Sequence, residues 1–411
     1  MALDLNLRHL RAFVEVAERQ TISAAAHHVY LSQPAITQAL AKLEARLEVR
    51  LFERRSTGMF LTEPGSLFYK RVVRALKLIA EGAEQATKLG VKGGARGFSR
   101  FDQLMTVSQL RSLLAVADAG NFSLAARAIH VSQPTLHRTA RDLERLSGMA
   151  LFDKISQGIS LTAAARALAK FGRLALSELN QGFEELETWR GLDTGRIVVG
   201  TLPLARSNIL PHAINQLVDQ RPDVDISVID GPYDDLLNGL RHGEIDLMTG
   251  ALRDPLPIED VRQEPLYSDL LAIVGRAGHP LSKQQELSAQ DIAEYPWVVP
   301  RAGTPTRTIF ENLFDRATIP VPAHVIESSS LVLIRGLLLG SDRLTIVSAN
   351  QVHLEVSNGL LQQLPIDMSH TARPIGLTTR ADWLPTATQS QFVELLRQAG
   401  RQFQMDYSII E

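Results

Sequence analysis

Gln38 carries a side-chain amide that can make paired hydrogen bonds to a base edge, and Thr37 beside it can touch a thymine methyl. Lys42 and Arg46 follow at helical spacing and can reach phosphates. A second set of chemistry-bearing residues lies far along the chain. Thr201-Leu202-Pro203, Thr304-Pro305 and Ser328-Ser329-Ser330 are hydroxyl-rich segments that could open helices. With Arg301 and Arg307 close by in sequence, they favour an anion. Caps alone would use the same residues, so it is the cluster that points to a small-molecule site. Catalytic chemistry finds no such support. Cysteine is absent, and there is no metal-ligand spacing, Gly-x-Ser-x-Gly elbow or Walker loop. His27-His28 reads as a solvated pair, or one near phosphate. No metal, cofactor or catalytic residue is expected.

The elements that must position Gln38 read as helices. Leu10, Phe13, Val14 and Ala17 form an apolar stripe. Ser23 could cap a short second helix, and Pro34 could open a third at its first position. That third helix would bury Ile36, Leu40, Leu43 and Leu47 and expose Ala35, Thr37, Gln38 and Lys42. "RRSTGMFLT" reads as a small β-wing turning at Gly58, and Pro64 to Leu89 as a long helix with Leu67, Val72, Leu76 and Ile79 on one side. Two helices at a sharp turn make a helix-turn-helix. A plain helical bundle would share this periodicity.

The same pattern recurs one hundred residues later without a gap. Leu10-Arg11 matches Leu110-Arg111, Ala25-Ala26 matches Ala125-Ala126, Leu43-Glu44 matches Leu143-Glu144, and Leu61-Thr62 matches Leu161-Thr162. An ungapped register of this length indicates a duplicated domain.

Residues 7–62 resemble the winged helix-turn-helix of LysR-type transcriptional regulators. The residues that carry this are Phe13, Ala25-Ala26, Ser32-Gln33-Pro34-Ala35, Leu43-Glu44, Leu47, Leu51-Phe52, Arg54 and Leu61-Thr62. The resemblance implies that Ser32, Gln33, Pro34, Thr37, Gln38 and Lys42 approach DNA, with Arg54 and Arg55 on the wing. Glu48 departs from the family's usual Gly, and Thr57-Gly58 lacks the usual wing arginine. The second copy keeps Ser132, Gln133 and Pro134 but places Thr135, His137 and Arg138 on the reading face. Asp142 replaces Lys42, Ile155 replaces Arg55, and Ser147-Gly148 is expected to disturb the helix end.

From Arg196 onward short β-branched runs alternate with amphipathic helices, which reads as an α/β fold with parallel strands. Gly200, Leu210-Pro211, Gly243-Glu244-Ile245-Asp246-Leu247, His279-Pro280-Leu281 and Ser328-Ser329 resemble the same family's effector domain, a two-lobed periplasmic-binding-protein fold. "YPWVVPRAGTPTR" is similar to the subgroup around the galactose-binding-protein regulator. Ligands of open α/β sheets sit at the carboxyl ends of strands. The candidate effector set is Thr201, Leu202, Pro203, Pro232, Tyr233, Arg301, Thr304, Ser329 and Ser348.

The expected organisation is multidomain: two tandem, mainly α winged helix-turn-helix domains followed by an α/β two-lobed domain. The boundaries are a first head over 1–63, a linker helix over 64–89, a flexible linker over 90–106, a second head over 107–162, a second linker helix over 163–192 and the effector domain over 195–405. The two linker helices are expected to pack on each other antiparallel, forming an internal pseudo-dimer. A chain of 411 residues, 45% hydrophobic and 21% charged, suits such a globular assembly. Net charge is +7 over residues 1–100, +1 over 101–192 and −10 beyond, so the front suits a polyanion.

The start, "MALDLNLRHLRAFVEVAERQ", is interrupted by charges and does not read as a signal peptide, and no apolar run approaches a membrane span. A cytoplasmic location is expected, and it disfavours the rival reading of an exported solute-binding protein. The expected partners are double-stranded operator DNA, a small organic anion as effector, another copy of the chain and RNA polymerase, with no membrane.

Overall fold

The computed structural model describes residues 5–90, 98, 100–156, 158–192, 195–207, 209–256 and 258–408. The first unit comprises α1 (Leu7–Arg19), α2 (Ile22–Val29), α3 (Gln33–Leu47) and a two-stranded wing, β1 (Phe52–Arg55) and β2 (Gly58–Leu61). The 27-residue α4 (Glu63–Leu89) follows. After α5 (Phe101–Leu104), the pattern repeats as α6 (Val107–Ala119), α7 (Phe122–Ala128), α8 (Gln133–Ser147), β3 (Phe152–Ile155), β4 (Gly158–Leu161) and α9 (Ala163–Trp189).

Matching bonds explain the repeated sequence. Glu44 Oε1 accepts from the amides of Leu51 and Phe52 at 2.8 and 3.2 Å, tying α3 to the wing. Glu144 does the same for Leu151 and Phe152 at the same distances. Thr62 and Thr162 cap the long helices. Gly58 has φ +148°, and a Cβ there would lie 2.6 Å from the Gln20 carbonyl, so only glycine fits the wing turn. Gly158 repeats this against the Gly120 carbonyl at 2.7 Å.

Several local expectations are corrected. Thr21, not Ser23, caps α2, accepting from the Ala24 amide at 3.3 Å. Pro34 is the second residue of α3, still within the first turn where no N–H is needed. Gly148 does not disturb α8; at φ +69° it ends the helix where Glu48, at φ +56°, ends α3. Leu67 and Leu76 are only half-buried, and the inner face of α4 is Phe68, Arg71, Val72, Ala75, Leu78, Ile79, Gly82 and Ala83. Residues 91–97 and 99 of the expected flexible linker lie outside the described residues. Its far end is a turn of helix, with Phe101 and Met105 buried in the core.

The long helices α4 and α9 pack antiparallel within the chain. Trp189 Nε1 donates to Glu63 Oε2 at 3.2 Å at one end, and Gly90 abuts Met149 at the other. Between them, Gly82 meets Phe171 and Leu168, and Gly182 meets Phe68 and Arg71. These glycines let the helix backbones approach closely. One hydrophobic cluster runs from Leu5 through both three-helix units and both long helices to Leu186.

The remainder forms two lobes. In chain order come β5 (Arg196–Thr201), α10 (Ile209–Gln220), β6 (Asp225–Asp230), α11 (Tyr233–Arg241), β7 (Leu247–Ala251) and β8 (Val261–Asp269). The second lobe holds β9 (Leu271–Arg276), α12 (Ala289–Ala293), β10 (Trp297–Val299), α13 (Pro305–Asp315), β11 (Val325–Glu327), α14 (Leu331–Leu339), β12 (Leu344–Ser348), α15 (His353–Ser357) and β13 (Leu361–Gln363). The chain then returns to the first lobe as β14 (Arg373–Arg380) and α16 (Ala387–Ser408).

The sheet orders are β6-β5-β7-β14-β8 and β11-β10-β12-β9-β13. They are mixed rather than parallel: β14 runs antiparallel to β7 and β8, and β9 antiparallel to β12 and β13. The reason is the double crossing between lobes, which returns strands against the parallel set. Among the described residues no helix is long and apolar enough to cross a membrane.

Candidate nucleic-acid interface and effector cleft

Ile36, Leu40 and Leu43 fill the core beside Phe13, which leaves the polar side of α3 in solvent. Ser32 caps α3, accepting from the Ala35 amide at 3.3 Å. Gln33, Pro34, Thr37, Gln38 and Lys42 are all exposed, and Thr37 Oγ1 donates to the Gln33 carbonyl at 3.0 Å. Arg54 and Arg55 are exposed on β1, where the Arg55 guanidinium pairs with Glu53 and sits 4.9 Å above the Phe60 ring. Tyr30, which ends α2 before the turn into α3, is 88% exposed, and nothing in its spacing marked it in the sequence. Glu48 pairs with Arg190 at 2.6 Å, which gives the departure from Gly a structural role between the first unit and the end of α9.

The second unit presents the equivalent face. Ser132, Gln133, Pro134, His137 and Arg138 are exposed. Ser132 accepts from the Thr135 amide at 3.3 Å, and Gln133 Oε1 accepts from Ser123 Oγ at 2.9 Å. His137 lies edge-on to Phe122 with ring centres 5.1 Å apart. Asp142 pairs with Arg145, which puts a neutralised carboxylate where Lys42 stands in the first unit.

The lobes are joined by two crossings, at Asp269–Leu271 and Thr371–Arg373. The Leu271 amide donates to Thr371 Oγ1 at 3.0 Å between them. Asp269 is 1% exposed. It accepts from Asn350 Nδ2 at 2.6 Å and lies beside Ser348 and Arg373. Burial pushes its carboxyl up to about 6 against the opposing pull of Ser348 and Arg373. Further hydrogen bonds bridge the lobes, from Arg373 Nη2 to Thr306 Oγ1 at 3.2 Å and from Gln351 Nε2 to the Pro203 carbonyl at 3.0 Å.

Arg253 stacks over Tyr233 at 4.5 Å, and Arg206 donates to the Thr201 carbonyl at 3.0 Å. The Asn350 Oδ1, the Tyr233 hydroxyl and the Nε atoms of Arg206 and Arg373 are buried without a partner among the described residues. Buried polar atoms without partners are costly, and such atoms stand free to take a further partner.

Of the nine candidate effector residues, Pro203 accepts from Gln351 across the lobes, Ser348 lies beside Asp269, Thr201 accepts from Arg206, and Tyr233 lies under Arg253. Leu202 begins the turn that places Pro203 there, and Pro232 sets the start of α11 below Tyr233. Thr304 caps α13, whose first turn carries Thr306 to Arg373. Arg301 and Ser329 are exposed, and Ser330, not Ser329, caps α14. Thr201 does not open a helix: Pro203–Ala205 is a single 3-10 turn, and α10 begins at Ile209. Arg307 is turned away, held by Glu311 at 2.7 Å and by the Pro300 carbonyl. The cation beside the crossings is instead Arg373, close enough to Arg253 for the two to repel, while Arg206 is paired with Asp230 at 3.5 Å.

A cavity of about 570 Å³ lies elsewhere, between α9 and the first lobe. Its Arg173 is already paired with Asp118 and Glu244, and Glu184 there is pushed up to about 7 by burial and by Asp246, so it suits an anion poorly.

A helix-turn-helix unit joined by a long helix to a two-lobed binding domain defines a ligand-responsive DNA-binding protein. Comparison with known families agrees. The model of the bacterial regulatory helix-turn-helix protein, lysR family, matches residues 7–66 and 107–166, and that of the LysR substrate binding domain matches residues 190–401. The HTH-type transcriptional regulator GalR of Pseudomonas putida is 36% identical over 393 residues, 96% of this chain and 97% of that protein. The uncharacterized regulator YdcI of Escherichia coli is 31% identical over 303 residues, 97% of its length but 74% of this chain. A full-length variant of OxyR from Pseudomonas aeruginosa shares the fold, with a TM-score of 0.55 at 22% identity, covering 72% of this chain and 95% of that one. The chain belongs to the LysR family of transcriptional regulators. Such regulators bind DNA through the helix-turn-helix, respond to small-molecule effectors in the substrate-binding domain, and oligomerise.

Proposed function

We propose that both three-helix units of this regulator read operator DNA, and that a small organic anion held between the lobes sets its activity. The exposed polar face of α3, backed by a buried apolar face, carries the DNA reading. The anion reading rests on Arg373, which reaches Thr306 across the lobes, lies close to Arg253, and keeps a buried Nε without a partner among the described residues. The carboxylate would take the guanidinium of Arg373 and the hydroxyl of Thr306. A partner that is DNA accords with the cytoplasmic location expected from sequence, and contact with RNA polymerase is a further expectation of this reading.

Calorimetry of the full chain against a panel of hydroxylated, aromatic and aliphatic carboxylates tests it. Arg373→Ala should weaken the best ligand roughly tenfold to a hundredfold, the worth of one charged hydrogen bond, while leaving binding to DNA intact. Unchanged affinity in Arg373→Ala would move the anion out of the crevice.

A further inference from the structure

The packing of α4 on α9 is nearly symmetric in backbone and asymmetric in chemistry. Gly82 against Phe171 and Leu168 mirrors Gly182 against Arg71 and Phe68, each pair exchanged by the offset of one hundred. The side chains at these mirrored positions do not match. Arg71 is fully buried. Its Nη1 donates to Glu178 Oε2 at 3.0 Å and to Gln181 Oε1 at 2.8 Å, and its Nη2 to Glu185 Oε1 at 2.5 Å. Arg74 Nε also donates to Glu178, at 2.9 Å. On the mirrored side, Phe171 stands for Arg71, Leu174 for Arg74, Leu78 for Glu178 and Gln85 for Glu185.

This arrangement discriminates between pairings. Two copies of α9 paired with each other would bury Glu178 and Glu185 against Phe171, with no cation opposite. Two copies of α4 would leave Arg71 facing Leu78 and Gln85, with Glu81 as the one carboxylate in place of two. The α9 pairing strands two carboxylates and the α4 pairing leaves Arg71 one carboxylate in place of two, so the unlike pairing satisfies the charges best. The same arginines hold the effector domain: Arg71 donates to the Leu384 carbonyl at 2.8 Å and Arg74 to the Asp382 carbonyl at 2.5 Å. One effector domain is therefore docked on one side of a pair of unlike heads.

The heads sit at opposite ends of the antiparallel pair. A helix of 27 residues is about 40 Å long, on the order of one DNA turn. From these observations we infer that the operator is asymmetric: two unlike half-sites in fixed order, one read by α3 and the other by α8. The inference rests on the proposal that both units read DNA.

Selection of duplexes from a random pool by the full chain tests it. Two different motifs should enrich at one spacing and in one order. Palindromes made from either motif should bind at least about tenfold more weakly, since each wrong base pair weakens binding by roughly that factor or more. Enrichment of one motif alone, or of its inverted repeat, overturns the inference while leaving DNA binding in place. No enrichment overturns the DNA reading and the inference with it.

A second variant gives α8 the solvent-face residues of α3: Thr135→Ala, His137→Thr, Arg138→Gln and Asp142→Lys together. Its selected site should become an inverted repeat of the first motif. Retention of the original asymmetric site would show that these faces do not set the half-sites.

Discussion

At Gln38 and Lys42, exposure on the solvent face of α3 separates two kinds of contact. Gln38→Ala should cost about 1–3 kcal/mol of operator binding and relax one base position. Lys42→Ala should weaken all duplexes alike and lower the salt slope by roughly 0.9. Gel shifts over a salt series separate the two, and a flat response to both substitutions would misplace the reading face. In the crevice, Asp269 holds its proton to about pH 6 when folded, whereas an exposed aspartate loses it near 3.8. The folded state thus binds the proton more tightly than the unfolded one. This contribution to stability is present below about pH 4 and is lost as pH rises through 6. Asp269→Asn should flatten that fall and raise the melting temperature at pH 7.5. A wild-type melting temperature that rises between pH 4 and 6 by the amount seen in Asp269→Asn would contradict the raised value.

At the scale of elements, the joint between α4 and α9 combines a close glycine crossing with a buried charge cluster. Removing one partner of such a cluster strands the others. Arg71→Leu should therefore destabilise the chain by about 3–5 kcal/mol in denaturant titration. Replacing the cluster as a whole, with Glu178→Leu and Glu185→Gln added, should recover most of the loss, because no unpaired charge remains buried. A single and a triple variant of equal stability would mean that Arg71 contributes through its packing rather than its charge.

At the scale of the whole molecule, two three-helix units, a pair of long helices and one two-lobed domain pack together within one chain. The sequence has no cysteine, so introduced thiols report cleanly. Cysteines at Glu63 and Trp189, whose side chains meet at the end of the helix pair, should be bridged within chains by a short bifunctional maleimide. In a mixture of tagged and untagged chains, bridges that join only different chains would show that the helices exchange between copies.

The sequence alone determined the local grammar. The offset of one hundred, the Leu-Glu and Leu-Phe pairs, and the helix-period stripes defined both three-helix units and the full extent of α9, because these features depend on neighbours a few residues away. The strands of the lobes were legible as β-branched runs, but β8, β13 and α16 were not, since their residues lack strong periodicity and are stabilised by packing against distant strands. The crevice shows the same division. Thr201, Tyr233, Thr304 and Ser348 sit at element ends and could be read from the chain. Asp269, Asn350 and Arg373 could not, because only the double crossing between lobes brings them together. Arg71 is the sharpest case. In sequence it is one more basic residue on a helix, and only the antiparallel partner, one hundred residues away, makes it a buried charge with Glu178 and Glu185 around it.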